Sequence, residues 1–367
     1  TNTTTTTTNI YSNTNINTPI IISEEIIAMN EDKTKFLINA DNIFLNESLQ
    51  QIRSSYSPAY KGFKIGNLSK TKTRYNKIRN YPKNTDVVVN YFYESNYPTT
   101  RGSEAITDSR NVSILVQHSL IKMPDDNFES RKDDSRVGFF TTKSNDMTSV
   151  DQVNYRDFIN KWRLEKKDTT QLLSEPIKPI VWWIENTTPL EFRDIIKEGV
   201  ERWNIAFEKA GFINAIQVKV QPDTADWDAG DIRYNVLRWT SSPQPPWGGY
   251  GPSFVNPRTG EILGADIMLE WSYITNRIVT DELFNESHQG DNHLCSASKV
   301  QKIENSFGLN YIKNMNLSDE LEKELVKQSL YRLVLHEVGH TLGLNHNFKA
   351  STLLSNDELN NKEIVKE

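Results

Sequence analysis

The segment His336–His346 places three histidines and one glutamate at spacings that suit metal chemistry. His336 and His340 are four positions apart, so in an α-helix both side chains lie on nearly the same face. Their imidazole nitrogens can then bind one ion at the bond length of about 2.0–2.1 Å that zinc makes to histidine. The spacing therefore predicts a helical pair of Zn²⁺ ligands.

Gly343 allows a third histidine to join this pair. A straight helix would carry His346 away from the ion, whereas a glycine adopts a left-handed conformation at a helix end without Cβ strain. The chain can then turn back and bring His346 to the metal. Three neutral histidines leave one tetrahedral position for water, which is typical of catalytic zinc sites and not of structural ones.

Glu337 follows the first histidine directly and is the predicted catalytic base. Zinc lowers the pKa of a bound water to about 7, and a neighbouring carboxylate can take its proton as the oxygen attacks a carbonyl. The same group can later protonate a leaving amine. The segment thus predicts His336, His340 and His346 as metal ligands, Zn²⁺ as cofactor and Glu337 as the catalytic residue.

Two helices and several strands are predicted to position these side chains. A helix from about Ser318 to Leu342 carries the first two histidines, and an amphipathic helix runs from Leu190 to Phe207. Strand, helix, several strands and a long helix is the order of an α+β domain. The strand patterns are Ile180–Ile184, Ile216–Val220, Ile232–Trp239, Ser253–Val255 and Glu261–Leu269.

The helix that begins near Leu190 has sequence signals at both ends. Thr188 and Glu191 have the spacing of a capping box, and Pro189 occupies the favoured first helical position. Gly211 falls where a helix-ending residue belongs.

The composition changes along the chain and predicts four regions. Residues 1–32 form a mostly disordered tail rich in threonine and asparagine, because so polar a stretch cannot offset its ordering entropy. Residues 33–150 are predicted to form a β-rich N-terminal domain, and residues 179–367 a catalytic domain. Residues 151–178 connect the two. The strand patterns of the β-rich domain are Asp86–Tyr93, Asn111–Leu120 and Val137–Thr142.

Bulk properties exclude some classes of protein. The net charge of −6 and the isoelectric point near 5.7 argue against a nucleic-acid-binding surface. No apolar run approaches the roughly 18 residues of a transmembrane helix. The single cysteine, Cys295, excludes an intrachain disulfide and leaves the compartment open. Because the chain starts at Thr1, we expect a processed or partial product, and its oligomeric state is not predicted.

The pattern HExxHxxGxxH resembles the metzincin clan of zinc endopeptidases. More narrowly, residues 178–350 look like bacterial zinc-dependent metalloproteases that join a β-rich N-terminal domain to a metzincin-like catalytic domain with a mixed sheet and an active-site helix. The resemblance implies a protease that acts on protein or peptide substrates in an extracytoplasmic location. The stretches that support it are Asp231–Asn235, Asn256–Ile262 and His346–Ala350.

One feature of the metzincins is missing from the sequence. They have a methionine-containing turn downstream of the third histidine, whereas the last methionine here is Met315, before the motif. We therefore expect a fragment that ends before this turn.

The strand Glu261–Leu269 precedes the active-site helix, where zincins keep the sheet edge that pairs with an extended substrate. A peptide that adds to such an edge is held by main-chain hydrogen bonds. The hypothesis is that Gly264, Ala265, Asp266, Ile267 and Met268 line the cleft; the alternative is an ordinary core strand.

Three weaker patterns each have a simpler alternative. Trp247–Gly251 is either an aromatic flap over the site or a plain glycine-rich loop. His288, Asp291 and His293 could hold a second ion, but their spacing matches no established ligand pattern. Cys295 could mask the zinc, although a lone thiol is the simpler interpretation. The acidic residues Asp223, Asp226, Asp228 and Asp231 lack the order of a calcium loop.

Three functions compete at this point. The leading prediction is an endopeptidase in which Glu337 activates a zinc-bound water. A second is zinc-dependent hydrolysis of another acyl or amide bond. A third is an inactive binding module that keeps the zincin fold, and the presence of Glu337 argues against it.

Overall fold

The computed structural model describes residues 22–367 apart from 54, 58, 103–105, 125–126, 146–149, 151, 154, 242–248, 272–295, 348–351 and 367. Most of the predicted tail, residues 1–21, therefore lies outside the described residues. The chain divides into two compact units, Thr1–Pro124 and Asp125–Glu367. This division differs from the predicted boundary at residue 150, since residues 125–150 fall in the second unit, and the predicted domain bounds remain a prediction.

The first unit is built mainly of antiparallel strands. The long strand β5 pairs along its whole length with β6 and, on its other edge, with β3 and β4 in turn. A separate hairpin joins β1 to β2. The elements are β1 Ile26–Met29, β2 Phe36–Ile38, α1 Asp41–Phe44, β3 Asn67–Leu68, β4 Arg74–Asn80, β5 Asn84–Glu94 and β6 Asn111–Ile121.

The core of the first unit follows the two-residue period of β5. Val87, Val89, Tyr91 and Tyr93 are buried on one face and pack with Phe44 of α1. The Tyr91 hydroxyl donates to the carbonyl of Phe44 over 2.6 Å, which satisfies a buried polar group. The predicted strands at 86–93 and 111–120 are confirmed.

The second unit contains a five-stranded sheet in the order β10-β9-β11-β15-β12. Every strand is parallel to its neighbours except β12, the outermost strand, which runs antiparallel to β15. The strands are β7 Thr141–Asn145, β8 Tyr155–Ile159, β9 Ile180–Ile184, β10 Ile216–Val220, β11 Asn235–Thr240, β12 Gly249–Tyr250, β13 Ser253–Val255, β14 Ile262–Ala265 and β15 Ile267–Glu270. The helices are α2 Leu190–Glu201, α3 Asn204–Lys209, α4 Ser296–Asn314, α5 Asp319–Thr341, α6 Asn356–Leu359 and α7 Lys362–Lys366.

Two predicted strands are shorter or divided in the structure. Residues 261–269 form two strands because Asp266 interrupts them, and its carboxylate accepts the Val236 N–H over 3.0 Å. The strand predicted from Ile232 begins at Asn235 because Asp231 and Arg233 form an ion-paired turn before it. Of the strand predicted over 137–142, only the last two residues lie in β7.

Helix α2 begins without the predicted capping box. Its N-cap is Pro189, with no side-chain cap hydrogen bond. Thr188 is buried, and its carbonyl accepts from the guanidinium of Arg193 over 2.9 Å. The helix stops at Glu201 and resumes as α3, and Gly211 follows with a positive φ of 93°.

The core of the second unit lies between one face of the sheet and helices α2 and α5. The strands contribute Trp182, Ile184, Leu237, Ile267 and Leu269. The helices contribute Ile196, Val200, Leu330, Val334 and Val338. Because this core holds α5 rigidly, it also holds the helical part of the metal-binding motif. No described helix is both long enough and apolar enough to cross a bilayer.

Candidate metal centre

Helix α5 positions the first two histidines, as the sequence predicts. It spans Asp319–Thr341 and buries Leu333, Val334 and Val338 against the rest of the core. His336 and His340 lie one turn apart near its carboxyl end, and their ring centroids are 4.6 Å apart. The buried residues between them fix the face of the helix on which both rings project.

The three histidines converge on one point through their Nε2 atoms. The distance from His340 Nε2 to His346 Nε2 is 3.1 Å, and that from His346 Nε2 to His336 Nε2 is 3.2 Å. Tetrahedral ligands at zinc–nitrogen bonds of about 2.0–2.1 Å would be roughly 3.3 Å apart. The observed separations therefore fit three ligands of a single tetrahedral ion.

The hydrogen bond at the other nitrogen of His340 supports the same interpretation. His340 Nδ1 lies 2.9 Å from the carbonyl oxygen of Leu344, which can only accept. The ring proton is therefore on Nδ1, and Nε2 presents a lone pair to the other two histidines. Such an orienting hydrogen bond is the usual partner of a metal-binding histidine.

Gly343 makes the turn that returns His346 to the helical pair. Its φ is 94°, in the left-handed region that glycine adopts at helix ends. Its N–H donates to the carbonyl of His340, and the N–H of Leu344 donates to the carbonyl of Gly339. The helix thus ends at Thr341, one residue after the second histidine, and the next residues lead the chain back.

Burial favours the neutral histidines that a metal needs. It lowers the pKa of His336 to about 4, with smaller contributions from His340, His346 and Arg332. The pKa of His346 is also lowered, first by burial and then by His340. Within the described part of the chain, these three residues form the one cluster of histidine, cysteine or acidic side chains with metal-ligand geometry.

Glu337 lies beside this cluster as a buried acid. Its side chain is 3% exposed, and burial raises its pKa to about 7. The N–H of Gly251 donates to the carboxylate and partly offsets that rise. A carboxyl group with this pKa exchanges its proton readily near neutral pH, as a general base requires.

The short strand β12 packs directly against Glu337. A Cβ at Gly249 would lie 2.9 Å from both Cγ and Oε1 of the glutamate, so any larger residue there would displace the Glu337 side chain. The sequence pattern 247–251 predicted either a flap or a plain loop, and Trp247 and Gly248 lie outside the described residues. Gly249 and Gly251 both approach Glu337, whereas the choice between a flap and a plain loop remains a prediction.

The residues of the proposed substrate strand lie in two different sheets. Ile267 and Met268 are in β15, which pairs with β11 on one side and β12 on the other. Gly264 and Ala265 are in β14 and pair with β13, and Asp266 is hydrogen bonded to β11. Ile267 and Met268 therefore have strands on both sides, whereas a cleft-lining role for residues 264–266 remains a prediction.

The weaker candidates form no second site in the described residues. Asp231 is buried and paired with Arg233, and Asp223 accepts a hydrogen bond from Asn186. The acidic residues at 223–231 therefore have other partners and do not gather round an ion. The candidate second-ion residues His288, Asp291 and His293, together with Cys295, lie outside the described residues.

Two families match parts of the chain. One is described as a domain of unknown function (DUF5117) and matches residues 1–167. The other is described as Met-zincin and matches residues 318–367, which contain α5 and the loop to His346. No curated protein and no solved structure matches the chain. The segment that carries the three histidines is thus similar to the Met-zincins, and a mixed α/β unit with a histidine-bearing helix, after a β-rich N-terminal part, fits a zincin-like fold.

Proposed function

We propose that this protein is a zinc-dependent endopeptidase in which His336, His340 and His346 hold the metal and Glu337 moves the proton. The observation that carries the proposal is the convergence of three Nε2 atoms beside a buried carboxylate. A structural zinc site would have a fourth protein ligand, and the described residues offer none at this cluster.

The residues divide the work between binding and proton transfer. Zinc held by the three imidazoles would supply the Lewis acidity that activates water and polarises a carbonyl. Glu337 accepts the proton of the attacking water, since its pKa of about 7 matches neutral conditions. The same carboxyl group then donates that proton to the leaving amine nitrogen. The Gly251 N–H orients the carboxylate during both transfers.

An extended peptide fits the architecture around Glu337 better than a compact substrate. Strand β12 lies at one end of the sheet among the described residues, and its Gly249, together with Gly251 just after it, lies against the catalytic carboxylate. A peptide that adds beyond such a strand gains main-chain hydrogen bonds without requiring a particular sequence. We therefore assign the substrate-aligning role to β12, in place of Ile267 and Met268 of β15.

The test combines metal analysis with proteolysis by the full chain. We expect one zinc per chain in the parent and in Glu337→Gln, with cleavage of unfolded proteins or peptides by the parent alone. Glu324→Gln is the matched control, because Glu324 lies on the exposed side of the same helix and, within the described part of the chain, accepts a hydrogen bond from Gln328. Its rate should equal that of the parent.

Two results would overturn the proposal. A zinc-loaded parent that cleaves no peptide would exclude the endopeptidase, and equal cleavage by Glu337→Gln would exclude the assigned base. Small N-acyl amides are assayed in parallel. Hydrolysis of these alone would favour the other acyl hydrolase over a peptidase. The resemblance to exported proteases adds the proposal of an extracytoplasmic location, which cell fractionation tests.

A further inference from the structure

A segment far upstream of the sheet pairs with the loop that carries the third histidine. The N–H of Phe140 donates to the carbonyl of Gly343 over 2.8 Å, and the N–H of Asn345 donates to the carbonyl of Gly138 over 3.0 Å. Phe139 and Leu344 form an antiparallel bridge between these bonds. The loop therefore has a short β-ladder along one edge.

A second segment closes on the same loop and on the end of α5. The N–H of Asn160 donates to the carbonyl of Phe140 over 2.8 Å, which extends the ladder by another strand. The Asn160 carbonyl lies so close to Gly343 that a Cβ there would be 1.9 Å away. The indole N–H of Trp162 donates to the carbonyl of Thr341 over 2.8 Å. We call Gly138–Phe140 together with Asn160–Trp162 the clamp.

The clamp also touches a ligand directly. The ring of Phe140 is centred 5.7 Å from the ring of His340, at an interplanar angle of 55°. The N–H and the carbonyl of Phe140 are both hydrogen bonded, so the backbone that carries the ring is held in place. The Phe140 ring therefore restricts rotation of the His340 imidazole, whose Nδ1 is hydrogen bonded to the carbonyl of Leu344.

The third ligand needs such support more than the other two. His336 and His340 are held by a helix packed into the core, whereas His346 lies after the helix ends, in a stretch without regular structure. Metal ligands must be placed within about 0.2 Å of their ideal positions. Connecting loops are otherwise more mobile than the elements they join. The clamp supplies the main-chain partners that a strand would have in a sheet.

We propose that the clamp positions the metal-binding loop, with Trp162 and Phe140 as its principal positioning residues. This inference rests on the metal-binding half of the proposed function and not on peptide cleavage. It also gives a role to part of the region that matches a domain of unknown function, since residues 138–162 fall within 1–167.

The first test compares two tryptophans that bond the same helix. Trp162→Phe removes the bond to Thr341, whereas Trp203→Phe removes a bond of 3.0 Å to the carbonyl of Leu335, in the body of α5. Both indoles pack against the same core. Zinc affinity of the full chain is measured by competition with a chromophoric chelator. We expect Trp162→Phe to weaken binding about tenfold, as loss of supporting groups around a metal site usually does, and Trp203→Phe to leave it within about twofold.

A second test removes the ring without disturbing the core. Phe140 is 40% exposed, so Phe140→Ala should fold, weaken zinc binding and alter the visible spectrum of the cobalt-substituted protein. Phe140→Tyr keeps the ring and should restore parental affinity and spectrum. Thermal unfolding in chelator separates loss of fold from loss of metal.

Equal weakening by the two tryptophan variants would overturn the clamp, as would parental zinc affinity in both Trp162→Phe and Phe140→Ala. Because the readout is zinc affinity, a parent that binds zinc but cleaves no peptide would remove the endopeptidase proposal and leave the clamp intact.

Discussion

Glu337 combines two conditions that are difficult to satisfy together. It must be buried beside the histidines to act on a substrate, yet burial opposes the charge that a base needs. The N–H of Gly251 stabilises the ionised carboxylate, and a cation bound by the adjacent histidines would stabilise it further. The cost of this arrangement should be measurable in the metal-free protein.

We predict that Glu337→Gln stabilises the metal-free protein at neutral and alkaline pH. The folded-state pKa is about 7 against an ordinary value of 4.5, so the folded chain binds the extra proton between these values. The ionised acid therefore destabilises the fold as the pH rises through this window, and the full effect is present above pH 7.

The gain for the glutamine variant should be roughly 3 kcal/mol at pH 8, at about 1.4 kcal/mol per pH unit. It should fade towards zero near pH 4.5. Urea unfolding in chelator at several pH values measures this difference in the free energy of unfolding. The histidines contribute equally to both proteins, so their titration does not affect the difference. A gain that does not change with pH would contradict the burial argument.

At the scale of elements, the site depends on one helix and one short strand. Helix α5 carries three of the four proposed functional residues, and Gly249 of β12 packs against the side chain of one of them, Glu337. The helix is held by the core, whereas β12 has only two residues and one partner strand in the sheet order. Substitutions in α5 and in β12 should therefore have different effects.

We expect Gly249→Ala to reduce activity without releasing zinc. The new Cβ would lie 2.9 Å from Cγ and Oε1 of Glu337, so the carboxylate must shift. A displacement of about 1 Å at a catalytic group can reduce the rate about 100-fold. The turnover number and the zinc content are measured together, with the melting temperature as control. Unchanged turnover would show that β12 does not constrain the carboxylate.

Leu330→Ala should instead destabilise the whole second unit. Leu330 is fully buried between α5 and the rest of the core, and removal of a buried leucine side chain costs about 2–5 kcal/mol. Leu321→Ala, on the same helix but 48% exposed, is the matched control and should change stability by less than about 0.5 kcal/mol. Denaturant unfolding of the two variants makes the comparison, and similar losses would contradict the packing described for α5.

For the molecule as a whole, metal binding and folding should be linked. The three ligands come from the helix and from the loop beyond it, and an unfolded chain does not hold them together. A zinc concentration 100 times the dissociation constant stabilises a folded protein by about 2.7 kcal/mol. Chelator should therefore lower the melting temperature of the parent.

The matching variant is His346→Ala, which keeps the helical pair but loses the third ligand. Its melting temperature should respond much less to chelator than that of the parent. A parental response in this variant would mean that the stabilising ion binds elsewhere.

The amino-acid sequence was sufficient for whatever depends on neighbours along the chain. The spacing of His336 and His340 places them on one helical face, Gly343 permits the reversal, and the strands at Ile180–Ile184 and Ile216–Val220 follow from their composition. Each of these is a local property of the backbone, so one amino-acid sequence is enough to reveal it.

Contacts between segments that are distant in sequence are determined by the tertiary structure alone. The place of β15 inside the sheet, the approach of Gly249 to Glu337 and the pairing of Phe140 with Gly343 join residues from about 20 to 200 positions apart, and no periodicity records them. The division after residue 124 has the same origin, because Gly138–Phe140 and Asn160–Trp162 contact the metal-binding loop and the end of α5, which lie far away in sequence. Burial and main-chain pairing in three dimensions, and not local pattern, determine these features.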